Sequence, residues 1–176
     1  MSYLIVGLGN PGEEYSKTRH NFGFMVIDAL LEHTGANPIN TKYLARFWNA
    51  RVGRAPAIIM EPQTYMNASG QVVAPFMKTK GLEADDLIVV HDDLDLPFGT
   101  IRVSENASAA GHNGVQSIID SIGTQNFFRV RLGIGRPKTD KPIEDYVLGR
   151  FSAEEKNALP EIIERAILEI EKIFLP

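Results

Sequence analysis

Two rhythms of apolar residues take turns along the chain, and their alternation predicts an α/β fold. Tyr3 to Leu8 is a continuous apolar run closed by the loop Gly9 to Gly12, the mark of a buried strand. From His20 to His33 the apolar positions shift to Phe24, Ile27, Leu30 and Leu31, which predicts a helix that stops at Gly35. Residues 36–46 carry neither rhythm and read as a loop. FWNARVG and AIIMEP then read as two strands joined by Arg54, Ala55 and Pro56, so part of the sheet is expected to be antiparallel. Thr64 to Lys80 places Val72, Val73, Phe76 and Met77 on one helical face before Gly81. Within it Pro75 cannot donate a backbone hydrogen bond, which predicts a kink or a late, short helix. LIVVHDD, from Leu87 to Asp93, reads as a central strand with polar residues at its end. GTIRVS is a further strand and GHNGVQSIIDSIG a helix ending at Gly123. FFRVRLGIG alternates Phe128, Val130, Leu132 and Ile134 with Arg129 and Arg131, as a half-buried strand does. Ser152 and Glu155 form a capping box for a short turn, and Pro160 reads as the start of a last helix with Ile163, Ala166, Ile167, Ile170 and Phe174 inward. No repeat or linker interrupts the series. The expectation is a single globular domain over residues 1–176, α/β, with a central mixed β-sheet flanked by helices.

Composition adds limits. A chain of 176 residues is long enough for one sizeable core and short for two. It has no cysteine, which excludes disulfides and thiolate metal sites and points to a reducing compartment. No apolar run approaches a membrane span, and the opening MSYLIVGLG lacks the pattern of a signal peptide, so a cytoplasmic protein without membrane association is expected. Of 22 acidic and 18 basic residues, eight and four lie from Glu144 onward, which leaves fourteen of each before it. The net charge of −4 therefore belongs to the C-terminal segment. Along the sequence Arg129, Arg131, Arg136, Lys138 and Lys141 face only Asp140, a cluster suited either to phosphate contacts or to a solvated face.

Three kinds of chemistry are compatible with the polar residues. GLGNPG matches the glycine spacing of a dinucleotide-binding turn, but Glu13 and Glu14 follow where phosphate would sit. The helical pattern also waits until His20, and no acidic residue ends a second strand at the required distance. His91, Asp92, Asp93 and Asp95, with His20 and His112, could ligate a metal, yet no local spacing locks two of them on one face. The third reading makes His20 a general base oriented by Asp92, if the LIVVHDD strand neighbours the first. His91 would then point to the opposite face as a structural histidine. Asn10, Asn67 and Asn113 supply uncharged donors and acceptors for a water, a carbonyl and hydroxyl groups, although Asn is also a favoured helix cap.

GLGNPG, YSKTRHNFGF, PQTYMNASG, VVHDDLDLPFG, GHNG, RVRLGIGRP and DYVLG stand in an order and spacing that resembles the bacterial peptidyl-tRNA hydrolase family, nearly end to end. The resemblance implies hydrolysis of the ester between a peptide and the 3′ ribose of tRNA, without cofactor or metal. It implies His20 as catalytic base, Asp92 as the residue that keeps it basic, and Asn10 as the group that distinguishes a blocked from a free α-amine. Tyr15, Tyr65, Asn67 and Asn113 would line the site for peptide and terminal adenosine, and Arg131 would contact tRNA phosphate. The partner is then peptidyl-tRNA, met by a monomer with no obligate protein partner. Two positions depart from the pattern. Between Gly99 and His112, where a basic residue and then a glycine-rich run are usual, Ser104 stands in place of the expected phosphate-clamping lysine, and Glu61 stands where a lysine is common. Fewer basic contacts predict weaker, less salt-sensitive tRNA binding. The altered loop is the one feature that favours an alternative, a non-catalytic RNA-binding relative of the same fold.

Overall fold

The structure, a computed structural model, describes residues 2–175. Its strands are β1 (Tyr3–Gly7), β2 (Asn37–Ile39), β3 (Ala45–Val52), β4 (Ala55–Pro62), β5 (Leu87–Asp93), β6 (Ile101–Glu105) and β7 (Phe128–Gly133). The helices are α1 (Phe22–Thr34), α2 (Gly70–Lys80), α3 (Asn113–Ile122), α4 (Ile143–Val147) and α5 (Ala153–Lys172). All seven strands form one mixed sheet in the order β2-β3-β4-β1-β5-β7-β6. β1 lies between β4 and β5, parallel to both, and β5 is parallel to β7. β3 runs antiparallel to β2 and β4, and β6 to β7.

The unbroken apolar runs of β1 and β5 follow from this position, because both faces of a central parallel strand are covered. Ile5, Ile88 and Val90 pack with α1 and α5 on one face, while Leu4, Val6, Leu87 and Val89 pack with α2 and α3 on the other. α1 is pressed unusually close to the sheet. A Cβ on Gly23, in its first turn, would strike the backbone of Leu8 and Val90, and one on Gly7 would strike Ile27 and the Gly23 carbonyl. Only glycines at both positions let the start of α1 rest on the ends of β1 and β5.

Several elements differ from the expectation. The β3–β4 turn is tighter than Arg54 to Pro56, since Ala55 and Pro56 already belong to β4 and Gly53, at φ +57°, reverses the chain. α2 begins at Gly70, the late, short helix that Pro75 predicted. α5 is one helix from Ala153 rather than a turn followed by a helix from Pro160. Its capping box is real, with Ser152 Oγ accepting from the Glu155 N–H at 3.1 Å and Glu155 Oε2 accepting from the Ser152 N–H at 2.7 Å. Pro160 lies on the exposed side of that helix, so the Lys156 carbonyl left without its bond can face water. β2 and α4 were not anticipated. β2 is a three-residue edge strand with exposed positions, and α4 has five residues, too short for either apolar rhythm to register.

Candidate active site

The close seat of α1 determines where His20 stands. It ends the connector just before the helix, in a short turn over the carboxyl ends of β1 and β5, and the parallel pairing of those strands brings Asp92 beneath it. His20 Nδ1 lies 2.9 Å from Asp92 Oδ2 and 3.0 Å from Oδ1. Asp92 is buried and holds a second imidazole as well, with His112 Nε2 at 2.9 Å from Oδ1.

His112 decides the proton positions. As the N-cap of α3 its Nδ1 accepts from the backbone N–H groups of Gly114 and Val115, at 3.1 and 3.3 Å. That lone pair is committed, so in the neutral ring Nε2 carries the hydrogen and donates it to Asp92. Asp92 in turn accepts the Nδ1–H of His20 and leaves Nε2 of His20 as the free basic nitrogen. Burial opposes protonation of His20, but the charge of Asp92 and its hydrogen bond outweigh it and raise the pKa above the ordinary 6.5. Burial likewise opposes ionisation of Asp92, yet the two imidazoles hold its carboxyl well below the usual carboxylate range. His20 Nδ1, an Asp92 oxygen and His112 Nε2 lie within 4.8 Å of one another, close enough to suggest metal ligands. The cap argues against that use, since an Nε2 that bears hydrogen cannot coordinate.

His91 points to the other face of β5, as alternation requires, and its Nδ1–H donates to the Asp92 carbonyl at 2.7 Å. Burial, and then the neighbouring His112, push its pKa down to about 3, so it stays neutral.

Around the pair lies a half-open cleft of about 470 Å³. Asn10, Tyr15, Tyr65, Asn67 and Asn113 all line it with His20 and Asp92, so the structure brings together every expected site residue except Arg131. Asn10 is fixed by two neighbours. Its Oδ1 accepts the Met66 N–H at 2.7 Å, while Asn21 exchanges hydrogen bonds with its backbone N–H and carbonyl. With the oxygen engaged, the Nδ2 donor is the end of Asn10 left for the cleft. Asn67 and Asn113 are exposed, and neither serves as the side-chain cap considered for it: His112 caps α3 and no side chain caps α2. Tyr15 and Tyr65 meet edge to face at 6.4 Å on the rim. α4 supplies the opposite wall through Ile143, Glu144 and Val147. It is held by the Arg19 guanidinium, 4.3 Å over the Tyr146 ring and 3.0 Å from Glu155.

A family model of peptidyl-tRNA hydrolase matches residues 4–175. The chain belongs to the peptidyl-tRNA hydrolase family. It is 48% identical to the peptidyl-tRNA hydrolase of Oceanobacillus iheyensis over 168 residues, covering 96% of this chain and 90% of that one. It is also 48% identical to the Aquifex aeolicus enzyme over 164 residues, covering 93% and 85%. The crystal structure of the Acinetobacter baumannii peptidyl-tRNA hydrolase superimposes with a TM-score of 0.91 at 35% identity, covering 98% of this chain and 88% of that one. The likeness therefore extends over sequence and fold alike, and the chain is a hydrolase of this family.

Within the peptidyl-tRNA hydrolase frame four basic or acidic positions differ from the sequence reading. Arg131 lies outside the cleft lining, with Nε donating to Asp93 at 2.8 Å and Nη1 to Ser104 Oγ at 3.2 Å. Arg136 pairs with Asp95. The cluster that faced only Asp140 along the sequence thus meets carboxylates brought in by the neighbouring strand. Arg129 is no solvated residue either: it is 1% exposed and donates to the Ser108 carbonyl at 2.7 Å. Glu61 is buried, so its charge is not presented to a surface partner. In the altered loop Asn106 and Ala110 take left-handed conformations, with φ +51° and +47°, which non-glycine residues seldom adopt. His112 is the functional candidate that residue-by-residue reasoning missed as a partner of Asp92. The signal was GHNG itself, a histidine one residue before a helix.

Proposed function

We propose that the chain hydrolyses the ester joining a peptide, or an N-blocked aminoacyl group, to the 3′ ribose of tRNA, with His20 as general base. The hydrogen-bonded pair of His20 and Asp92 in the wall of the cleft carries this reading. Nε2 of His20 takes a proton from water as the water oxygen attacks the ester carbonyl, and Asp92 stabilises the imidazolium that forms. The Nδ2 donors of Asn10 and Asn67 face the developing oxyanion and the peptide carbonyls, and Asn10 contributes to selection of a blocked α-amine. The imidazolium returns its proton to the departing ribose oxygen. An ester needs no covalent nucleophile, and no metal or cofactor enters these steps. Tyr15, Tyr65 and Asn113 contact the terminal adenosine and the peptide, while Arg131 contacts phosphate beyond the cleft.

We further read the chain as a single domain that acts as a cytoplasmic monomer. No helix among the described residues is long and apolar enough to cross a membrane. The test is release of N-acetyl-aminoacyl groups from tRNA in EDTA, beside His20→Ala and a free aminoacyl-tRNA control. Release from the blocked substrate alone, slowed roughly a hundred- to ten-thousandfold in the variant, is expected. Undiminished release by His20→Ala overturns the assignment of the base.

A further inference from the structure

A second cavity, of about 320 Å³, lies behind the Asn10 loop, between the start of α1, the first residues of β3 and the end of β4. It shares only Asn10 with the lining of the cleft. Phe24 and Met25 form an apolar wall, and Asp28, Arg46 and Glu61 bring charge.

Glu61 is the unusual member. It projects from β4 toward α1 and is 2% exposed. Arg46 stands opposite it in the hairpin, but Nη1 is 4.0 Å from Oε2 and 66% of the arginine side chain is in solvent. Oε1 of Glu61, shielded from solvent, has no hydrogen-bond partner among the described residues. Burying such an oxygen unpaired is costly. The other charged groups on the cavity, Asp28 from α1 and Glu13 from the loop, add negative charge and no donor.

We propose that this cavity binds a primary ammonium group on a short aliphatic stem, the charge held by the Glu61 carboxylate and Asp28 and the stem by Phe24 and Met25. An ammonium supplies three donors, and the Glu61 carboxyl has an oxygen that lacks one. Calcium and magnesium ask for six or more oxygen ligands and gain nothing from the apolar wall. The ammonium has two sources: a free amine, or a lysine side chain of the peptide in the adjoining cleft. The second source rests on the proposed function; the site itself does not. Burial, and then Asp28, push the Glu61 carboxyl up to about 8 against the pull of Arg46, so an entering ammonium must displace a proton. Affinity therefore rises about tenfold from pH 7 to pH 9, where alkylammonium is still charged.

The experiment is titration of n-butylammonium into the full chain, followed by amide NMR shifts at both pH values, with n-butanol as the neutral isostere. Saturable binding by the ammonium, tighter than butanol and strengthened at pH 9, is expected. Glu61→Gln keeps the shape and should weaken it at least about tenfold, the worth of a hydrogen bond to a charged group. Asp28→Asn, on the exposed side of α1, should weaken it severalfold and serves if Glu61→Gln does not fold. Binding no tighter than butanol, or unchanged in a folded variant, overturns the proposal. With binding established, hydrolysis of peptidyl-tRNA bearing lysine or norleucine separates the sources. A kcat/KM preference for lysine that Glu61→Gln abolishes identifies the peptide, and no preference identifies a free amine.

Discussion

Substituting Asp92→Asn tests the proton arrangement more sharply than deleting a side chain. Asparagine keeps the shape but offers one oxygen and one NH2 where the carboxylate offered two acceptors. His112 cannot adapt, because its Nδ1 is committed to two backbone N–H groups and its Nε2 must donate. It therefore draws the amide oxygen to the place of Oδ1, and the NH2 falls where Oδ2 stood, 2.9 Å from His20 Nδ1. The NH2 and an Nδ1–H would then be two donors facing each other, so the hydrogen of His20 moves to Nε2, Nδ1 accepts from the NH2 and gives up its bond to the oxygen at 3.0 Å, and the nitrogen facing water can no longer take a proton. The whole general-base contribution is lost, roughly a hundred- to ten-thousandfold in kcat/KM, or about 2.7 to 5.4 kcal/mol in the barrier. The assay is steady-state hydrolysis of N-blocked aminoacyl-tRNA. A second variant adds discrimination: Asp92→Asn with His112→Ala frees the amide to turn its oxygen toward His20, and part of the lost rate should return. A loss under tenfold in the single variant, or a double variant slower than the single one, would refute the tautomer argument.

The raised pKa of His20 has a sign that kinetics can read. The base must be neutral, so kcat/KM should fall as pH drops through a midpoint above 6.5, measured across a pH series on the wild-type chain. Ser104→Lys places a cation beside the Arg131 guanidinium that now bonds the serine oxygen; tRNA binding should tighten, and its logarithmic salt slope steepen by about one unit, in a filter-binding series. Gly23→Ala drives a Cβ into the backbone of Leu8 and Val90 and should cost about 1–3 kcal/mol or more in urea unfolding, with activity reduced in the fraction that folds because His20 is displaced.

Local rhythm located the central elements, because a strand covered on both faces and a helix covered on one each leave an apolar pattern wherever they fall. β1, α1 and β5 were legible for that reason, and with them the meeting of His20 and Asp92. Pro160 misled because the cost of proline depends on whether the carbonyl it strands can reach water, a property of helix orientation. Arg129 misled because alternation distinguishes the two faces of a strand without telling which loops cover them. The pairing of Arg131 with Asp93 and the double use of Asp92 by His20 and His112 depend on strand order across the sheet. Short elements such as β2 and α4 exist through tertiary contacts, and their residues carry no rhythm of their own.

Two of the three amide-bearing sequences of the site also bear on how the protein ages. Asparagine deamidates when the nitrogen of the following residue attacks its side-chain carbonyl, and Asn–Gly pairs are especially exposed to this reaction. Asn10 precedes Pro11, whose nitrogen has no hydrogen to lose, so ring closure there is blocked. Asn113 precedes Gly114, but that glycine's N–H is held by His112 Nδ1 at the head of α3. The same histidine that sets the proton of the His20–Asp92 pair therefore keeps a neighbouring amide from slow conversion to aspartate.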